Sequence, residues 1–489
     1  MAGGAKIQAL PNGDRFGRTK GGEWPEYLNQ KIGGKRPIKK RPSKHDLTTG
    51  KISKNVWILA WPMVIGNLLQ NLFNIVDMIF VGRLGPDAIA AVAMSGIYMM
   101  VVWTFLAGVS MGTGAMVSRF YGAGDEKQTI DVIYQSLFLG AVIAVLLAFL
   151  GLFFAEPSLR LLGAAPAVVR LGVPYLKIVF LGSFTLILFF LVSAILRAIG
   201  DALTPMKVWS LATIINIVLD PLLIFGIGPF PKLGVIGAAV ATVTGQGIGM
   251  VIGFWILFEG KSFIRVRLKE FHLHFEYIWR IIRIAIPGSV QGGVRSLAGL
   301  ILMRIVAAYG TIAVAAYGIG LRVMLIVMMP GWALGTAAAT LVGQNLGAHK
   351  PDRAEKSAWT AAGYYILFVV VVGLLFVIFP EPVIQLFNAD PKVVATGIRY
   401  LRITAITYPF LALGITMGMS QSGAGDTASP MIVIALSMLG IQIPLALYLP
   451  RLDGLGTDGI WLAIAIALTI QGILMTYFFS RGKWKFKKV

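Results

Sequence analysis

The sequence predicts an all-α membrane protein whose twelve transmembrane helices form two parallel repeats of six. Three observations support this: an apolar composition, twelve long apolar runs and an internal repeat. Hydrophobic residues make up 57% of the 489 residues and charged residues only 13%, whereas soluble domains carry roughly 25% charged residues. Because lipid tolerates only helices or closed barrels, each run of about 20 apolar residues is interpreted as a helix.

The predicted helices fall into two lobes joined by a charged linker. The N-terminal lobe takes residues 50–258, the linker 259–277 and the C-terminal lobe 278–482. A disordered basic extension (1–49), rich in Gly, Lys and Pro, precedes the lobes, and a basic tail (483–489) follows them. The helices are predicted at 54–82, 88–118, 129–154, 168–196, 203–228, 235–258, 279–308, 313–344, 357–380, 394–421, 428–450 and 458–480.

The distribution of charge predicts the orientation in the membrane. Residues 1–54 hold thirteen Lys and Arg against four acidic residues, and the stretch after Ser480 adds five Lys and Arg with no acid. An even number of helices puts both ends and the linker on one face, which the positive charge marks as cytoplasmic. We therefore expect a multi-pass plasma-membrane protein that contacts anionic lipids, not nucleic acid, with both termini in the cytoplasm.

An internal repeat appears when the chain is shifted by 225 residues. Pro62 then pairs with Pro287, and the stretch IGDALTPM from Ile199 pairs with AGDTASPM from Ala424. Six helices per half give both halves the same orientation. Parallel repeats of this kind occur in secondary transporters, with the substrate site between or within the halves.

Comparison of the repeats identifies the candidate functional residues. Four polar residues of the first half have aliphatic counterparts in the second, so the fold itself does not require them. The counterparts are Leu302 for Asp77, Leu445 for Asp220, Ile441 for Asn216 and Ile464 for Thr242.

The polar cluster has two possible chemistries, which the residues leave open. Asp220 and Asn216 share one helix face at a spacing of four, and Gln70 lies two turns before Asp77. Two neighbouring carboxylates in a low dielectric can hold a proton. The same Asp, Asn and Thr oxygens could instead bind Na⁺, so the coupling ion is H⁺ or Na⁺ and no other cofactor is expected.

A possible hinge lies in the first predicted helix. Pro62 removes a backbone hydrogen bond, and Gly66 one turn later loosens the same segment. A hinge that responds to the charge of Asp77 and a static kink are equally compatible with this pattern.

Four stretches of the sequence match a known family of transporters. They are WPMVIGNLLQNLFNIVDMIFVGRLG from Trp61, LRAIGDALTPM from Leu196, NIVLDPLLIFG from Asn216 and LGVIGAAVAT from Leu233. By these stretches the chain resembles, over roughly residues 50–482, the MATE (multidrug and toxic compound extrusion) family of the MOP superfamily, and within it the DinF-like branch. The resemblance implies a monomeric antiporter that exports amphipathic cations by alternating access of its two lobes, and not an enzyme.

The resemblance also implies roles for individual residues. Protonation of Asp77 would bend the first helix at Pro62 and Gly66. The partners of Asp77 would be Asp220, Asn216 and Thr242, and the residues assigned to the substrate cavity are Gln70, Asn67 and Thr213.

Two positions depart from the family pattern, and one alternative function remains. Phe73 and Phe190 stand where relatives often carry Tyr and Asn, and the loss of two oxygen donors argues for protons over Na⁺. The alternative is a flippase for lipid-linked anionic precursors. It would require arginines of the second half, above all Arg295 and Arg402, to line the cavity.

Overall fold

The computed structural model describes residues 46–267, 270–452 and 454–489, apart from the side chain of Phe73. Most of the predicted basic extension, residues 1–45, lies outside these ranges. Most of the described residues are helical, and no strand occurs among them. The helices are α1 (Ile52–Gly82), α2 (Pro86–Ala123), α3 (Glu126–Leu161), α4 (Pro166–Leu181), α5 (Ser183–Ala198), α6 (Leu203–Phe225), α7 (Val235–Glu259), α8 (Phe275–Ala307), α9 (Thr311–Gly347), α10 (Pro351–Ile378), α11 (Pro380–Gln385), α12 (Pro391–Ala405), α13 (Tyr408–Gly423), α14 (Ala428–Ala435), α15 (Ile443–Tyr448) and α16 (Gly456–Ser480).

These helices supply the twelve predicted spans. Ten segments are long and apolar enough to cross a bilayer, one of them being Ala428–Arg451, which runs through α14, a π-helical segment (Leu436–Gln442) and α15. Two bent pairs complete the twelve: α4 with α5, at 43°, and α12 with α13, at 55°. The expected fold class is confirmed. The two breaks were not predicted, because the apolar runs continue through them.

The two halves repeat the same order of helices. Corresponding helices begin 225 residues apart: Pro86 and Thr311 open α2 and α9, and Pro166 and Pro391 open α4 and α12. Each half therefore contains six spans, with its fourth span bent. An approximate two-fold axis relates the halves.

The halves meet where α2 crosses α9. A β-carbon at Gly122 would overlap the carbonyl oxygen of Gln344, and one at Gly347 would overlap the carbonyl oxygen of Arg119. In the repeat, Gly122 corresponds to Gly347 and Arg119 to Gln344. The two contacts are therefore the same contact made twice, once on each side of the axis.

The approximate axis itself passes between Ser118 and Gly343. These two residues are repeat counterparts, and the Ser118 hydroxyl occupies the space that a β-carbon at Gly343 would take.

We call the membrane face beside the crossing of α2 and α9 the basic face. It carries the described residues before α1, between α7 and α8, and after α16.

Helix α1 is shared between two hydrophobic cores. Near its start, Val56, Leu59 and Met63 pack in a cluster built mainly from the second half. Near its end, Phe80 and Val81 pack with residues of α2, α4, α6 and α7. The helix continues from one core to the other without a break.

Close packing of α9 on α10 gives a test of the fold. A β-carbon at Gly331 would overlap the ring of Tyr365, which is fully buried and whose hydroxyl donates to the Val327 carbonyl at 3.1 Å. Overpacking costs roughly 1–3 kcal/mol. Gly331→Ala should therefore lower the midpoint of thermal unfolding in detergent by several degrees.

The matched control is Gly318→Ala on the same helix, where a β-carbon would have no neighbour within 4 Å. It should melt at or above the parent temperature, because alanine gains up to about 1 kcal/mol over glycine inside a helix. Equal midpoints for the two variants would contradict this packing.

Candidate functional site

Two glycines of α7 allow this helix to approach α6 closely. A β-carbon at Gly237 would lie 2.5 Å from the carbonyl oxygen of Leu223, and one at Gly245 would lie 2.8 Å from that of Ala212. This approach sets the polar side chains of α6 directly against α7. Pro221, inside α6, also removes one backbone donor beside the site.

Asn216 connects the polar residues of α6 and α7. In one orientation of its amide, Nδ2 donates to Thr242 Oγ1 at 3.3 Å. In the other, Nδ2 donates to Asp220 Oδ2 at 3.0 Å and Oδ1 accepts from the Thr242 backbone N–H at 2.9 Å. The second orientation satisfies both ends of the amide, and we adopt it because Asn216 is only 3% exposed.

Asp77 on α1 and Asp220 on α6 lie on helices that pack against each other, near enough for the charge of Asp77 to act on Asp220. Each lies five residues before the end of its helix, at similar depth. Asp220 is fully buried, Asp77 is half-buried, and Arg83, considered as a surface partner, is exposed. Within the described part of the chain, Oδ1 of each aspartate is buried without a hydrogen-bond partner. The site thus contains two acceptor atoms that neither protein donors nor bulk water satisfy.

Tyr175 on α4 is a member of the site that the sequence interpretation missed. It interacts electrostatically with both Asp77 and Asp220. Its side chain packs on the same apolar cluster as Val81. Its repeat counterpart is Tyr400, so the comparison that singled out the aspartates could not distinguish this residue.

The residues assigned to the substrate cavity lie along α1 and α6. Gln70 and Asn67 are half-buried on α1, and Thr213 on α6 is 8% exposed. An open cavity of about 430 Å³ lies farther along α1 and is lined by Asn71, Asn74, Ile75, Met78 and Ile79. Asn71 also donates to the Asn67 carbonyl at 2.8 Å. The assignment of Gln70, Asn67 and Thr213 remains a prediction, and the two asparagines were not foreseen.

The second half fills the corresponding positions with a hydrophobic core. Leu302, Leu445 and Ile464, the counterparts of Asp77, Asp220 and Thr242, all belong to one apolar cluster. Leu302 is 2% and Ile464 is 5% exposed. The same arrangement of helices thus carries a polar cluster in one half and an apolar core in the other.

The arginines considered for an anion site lie in different environments. Arg402 is exposed on α12, whereas Arg295 is half-buried on α8.

Phe190, one of the two positions that depart from the family pattern, packs edge-to-face on Trp103. The guanidinium of Arg197 lies over the Phe190 ring, 5.7 Å from the ring centre. Across the described ranges, no three His, Cys, Asp or Glu side chains form a metal cluster.

Comparison with known proteins identifies the family. The MatE family model matches residues 62–222 and 290–448. A probable multidrug resistance protein NorM from Thermotoga maritima is 30% identical over 447 residues, which cover 90% of this chain and 94% of the relative. An FAD transporter from Shewanella oneidensis is 27% identical, over 90% of this chain and 96% of the relative.

A solved structure has the same fold. It is a MOP superfamily transporter from Pyrococcus furiosus, described as having a binding pocket of reverse polarity that suggests a different function. The TM-score is 0.84 at 25% identity, over 92% of this chain and all of that one. The DinF-like branch is not distinguished by these matches. The chain belongs to the MatE family of multidrug efflux transporters, and it is a membrane transporter, not an enzyme.

Proposed function

We propose that this protein exports cationic amphipathic compounds in exchange for inward-moving H⁺, by alternating access of its two halves. The observation that carries the proposal is the pair of buried, unpartnered carboxylate oxygens on Asp77 and Asp220. An ionised carboxylate within a membrane is costly and is retained where it serves transport. A bound proton would neutralise one acid, and loss of that proton would create a site that attracts cations.

The donor set supports a proton over Na⁺. In the adopted orientation, the Asn216 oxygen accepts a hydrogen bond from the Thr242 backbone N–H, and the Asn216 nitrogen donates one to Asp220 Oδ2. Few oxygens then remain for a metal ion, whereas hard cations such as Ca²⁺ take six to eight oxygen ligands. A single proton needs only the two free carboxylate oxygens. Na⁺ remains the alternative coupling ion.

Helix α1 is suited to transmit the change in charge. Gly66 lies between the part of α1 that packs on the second half and the part that packs on the first, and Pro62 lies one turn earlier, within the former part. A β-carbon at Gly66 would have no neighbour within 4 Å, so this segment has room to bend. We infer that neutralising Asp77 bends α1 at these two residues, and that the first half moves with the outer part of the helix.

A flippase or exporter for anionic compounds is the second candidate. Half-buried Arg295 favours it, since this residue stands at the repeat position of Gln70. The name of the FAD transporter also supports a substrate with negative charge, since FAD carries a diphosphate. The acidic pair of the first half favours cations instead. The basic face is taken as cytoplasmic in either case, from its positive charge.

Removal of either carboxylate should abolish transport. Asp77→Asn and Asp220→Asn keep the size of the side chain but cannot exchange a proton, so efflux of a cationic dye from energised vesicles should fall to the level of empty vesicles. Asp87→Asn, an exposed acid of the same half, serves as control and should export normally. Normal efflux by both site variants would reject the carboxylate mechanism.

Imposed gradients should identify the coupling ion. In liposomes that contain only this protein, a pH gradient alone should drive accumulation of the cationic dye, and a Na⁺ gradient alone should not. Equal responses to both gradients, or to neither, would contradict proton antiport. Uptake of an anionic dye in place of the cationic one would support the flippase or anion exporter.

The carboxylates should be dispensable for folding. Asp77→Leu and Asp220→Leu copy the residues of the second half, so both variants should insert and melt within a few degrees of the parent while losing transport.

The reverse change provides the control. Leu302→Asp puts a polar group into the apolar cluster of the second half without a partner, at a cost of roughly 2–7 kcal/mol. It should lower the thermal midpoint or the yield of folded protein sharply. If the two leucine variants unfold and the aspartate variant does not, the assignment of function to the first-half acids is wrong.

A further inference from the structure

Two short segments at the basic face pack against equivalent turns of the two halves. We call residues 46–49 the strap and residues 483–489 the tail. Gly200, with φ of +100°, has Leu47 Cδ1 3.0 Å from the place of a β-carbon. Gly425, its repeat counterpart, has φ of +88°, and there the Val489 side chain takes the place of the β-carbon. Each turn therefore lacks a side chain of its own and receives one from outside the helix bundle.

The strap connects the turn of the first half to the second half. Lys350 Nζ donates to the Thr48 carbonyl at 2.9 Å, and the Arg353 guanidinium donates to the Thr49 carbonyl at 2.6 Å. Both donors lie at the start of α10. Leu47, only 2% exposed, packs in the cluster built mainly from the second half while touching Gly200 of the first.

The tail makes the reciprocal connection. Lys487 Nζ lies 3.3 Å from Asp426 Oδ1, beside the turn of the second half. The Lys487 carbonyl accepts from Arg119 of α2, in the first half, at 3.3 Å. The Val489 carbonyl accepts from Arg280 of α8 at 3.2 Å, and the Val489 side chain packs on a hydrophobic cluster built mainly from the first half.

We propose that the strap and the tail are paired latches that hold the basic face closed. Opening this face requires α2 to separate from α9. Such a movement pulls Arg119 away from Lys487 and Gly200 away from Leu47, because each pair joins the two halves. The latches thus shift the equilibrium between the conformation closed at the basic face and the one open there. They do so from a place outside the ion site. The proposal rests on the alternating access proposed above.

The same contacts could merely anchor the ends of the chain. In that case their loss would lower the unfolding temperature and leave the arrangement of the halves unchanged. A latch gives the opposite result: the folded protein remains stable, but its conformational balance moves. Distances between the halves therefore distinguish the two roles.

The absence of cysteine from the sequence makes such a measurement direct. Spin labels at Lys127→Cys and Lys356→Cys, both exposed near the starts of α3 and α10, report the separation of the halves in liposomes by double electron–electron resonance. The test variants are Lys487→Glu for the tail and Lys350→Ala for the strap. Lys488→Glu, an exposed neighbour with the same change in charge, is the matched control, and Lys487→Arg should restore the ion pair.

The two test variants should raise the population with the longer distance about two- to fivefold, the range for losing one partly exposed ion pair or hydrogen bond. Lys488→Glu and Lys487→Arg should match the parent, and all variants should share its thermal midpoint. Identical distances for Lys487→Glu and Lys488→Glu would overturn the tail latch, and a lower midpoint with unchanged distances would assign an anchoring role.

The outcome for the latches is separate from the outcome for transport. Unchanged distances in variants that still export would overturn the latches and leave the proposed antiport intact. Shifted distances in a protein that transports no dye under any gradient would support the latches and contradict the proposed function.

Discussion

The close crossing of α2 and α9 is the constraint on which the rest of the structure depends. At Gly122 and Gly347 each helix presents bare backbone to the other, and a single β-carbon on either side would collide with a carbonyl oxygen. Because the contact is repeated around the approximate axis, it fixes both halves at once. It closes the basic face and brings the chain segments at that face within reach of both halves.

The same frame carries different interiors in its two halves. One half uses leucine and isoleucine where the other has Asp77, Asp220 and Thr242. An apolar core is the stable solution for these positions, since it leaves no polar group unsatisfied. At these positions the first half instead keeps Oδ1 of Asp77 and Oδ1 of Asp220 buried without partners, which is the arrangement that the proposed ion exchange would use.

The sequence predicted the spans and the duplication, and it singled out the two aspartates as candidates, because each leaves a one-dimensional signal. Hydrophobic length locates helices, a fixed offset reveals the repeat, and a polar residue opposite leucine is conspicuous. Tyr175 escaped notice because its counterpart is also tyrosine. The bends within the fourth and tenth spans escaped because they do not interrupt hydrophobicity.

Contacts between distant segments were also beyond the sequence. Nothing in the residues around Leu47 or Val489 indicates that they reach glycine turns more than 60 positions away. The orientation of the Asn216 amide was also beyond the sequence, because it depends on donors and acceptors from two helices. Tertiary geometry supplies both pieces of information.

The contact between Ser118 and Gly343 has a consequence for how such a transporter can be assembled. Two identical chains related by a true two-fold axis must place the same side chain on both sides of that axis. Two serines would collide at this separation, and two glycines would leave a gap. A single chain can set a hydroxyl against an empty position, so covalent fusion of the halves permits a tighter seam than a symmetric dimer can form.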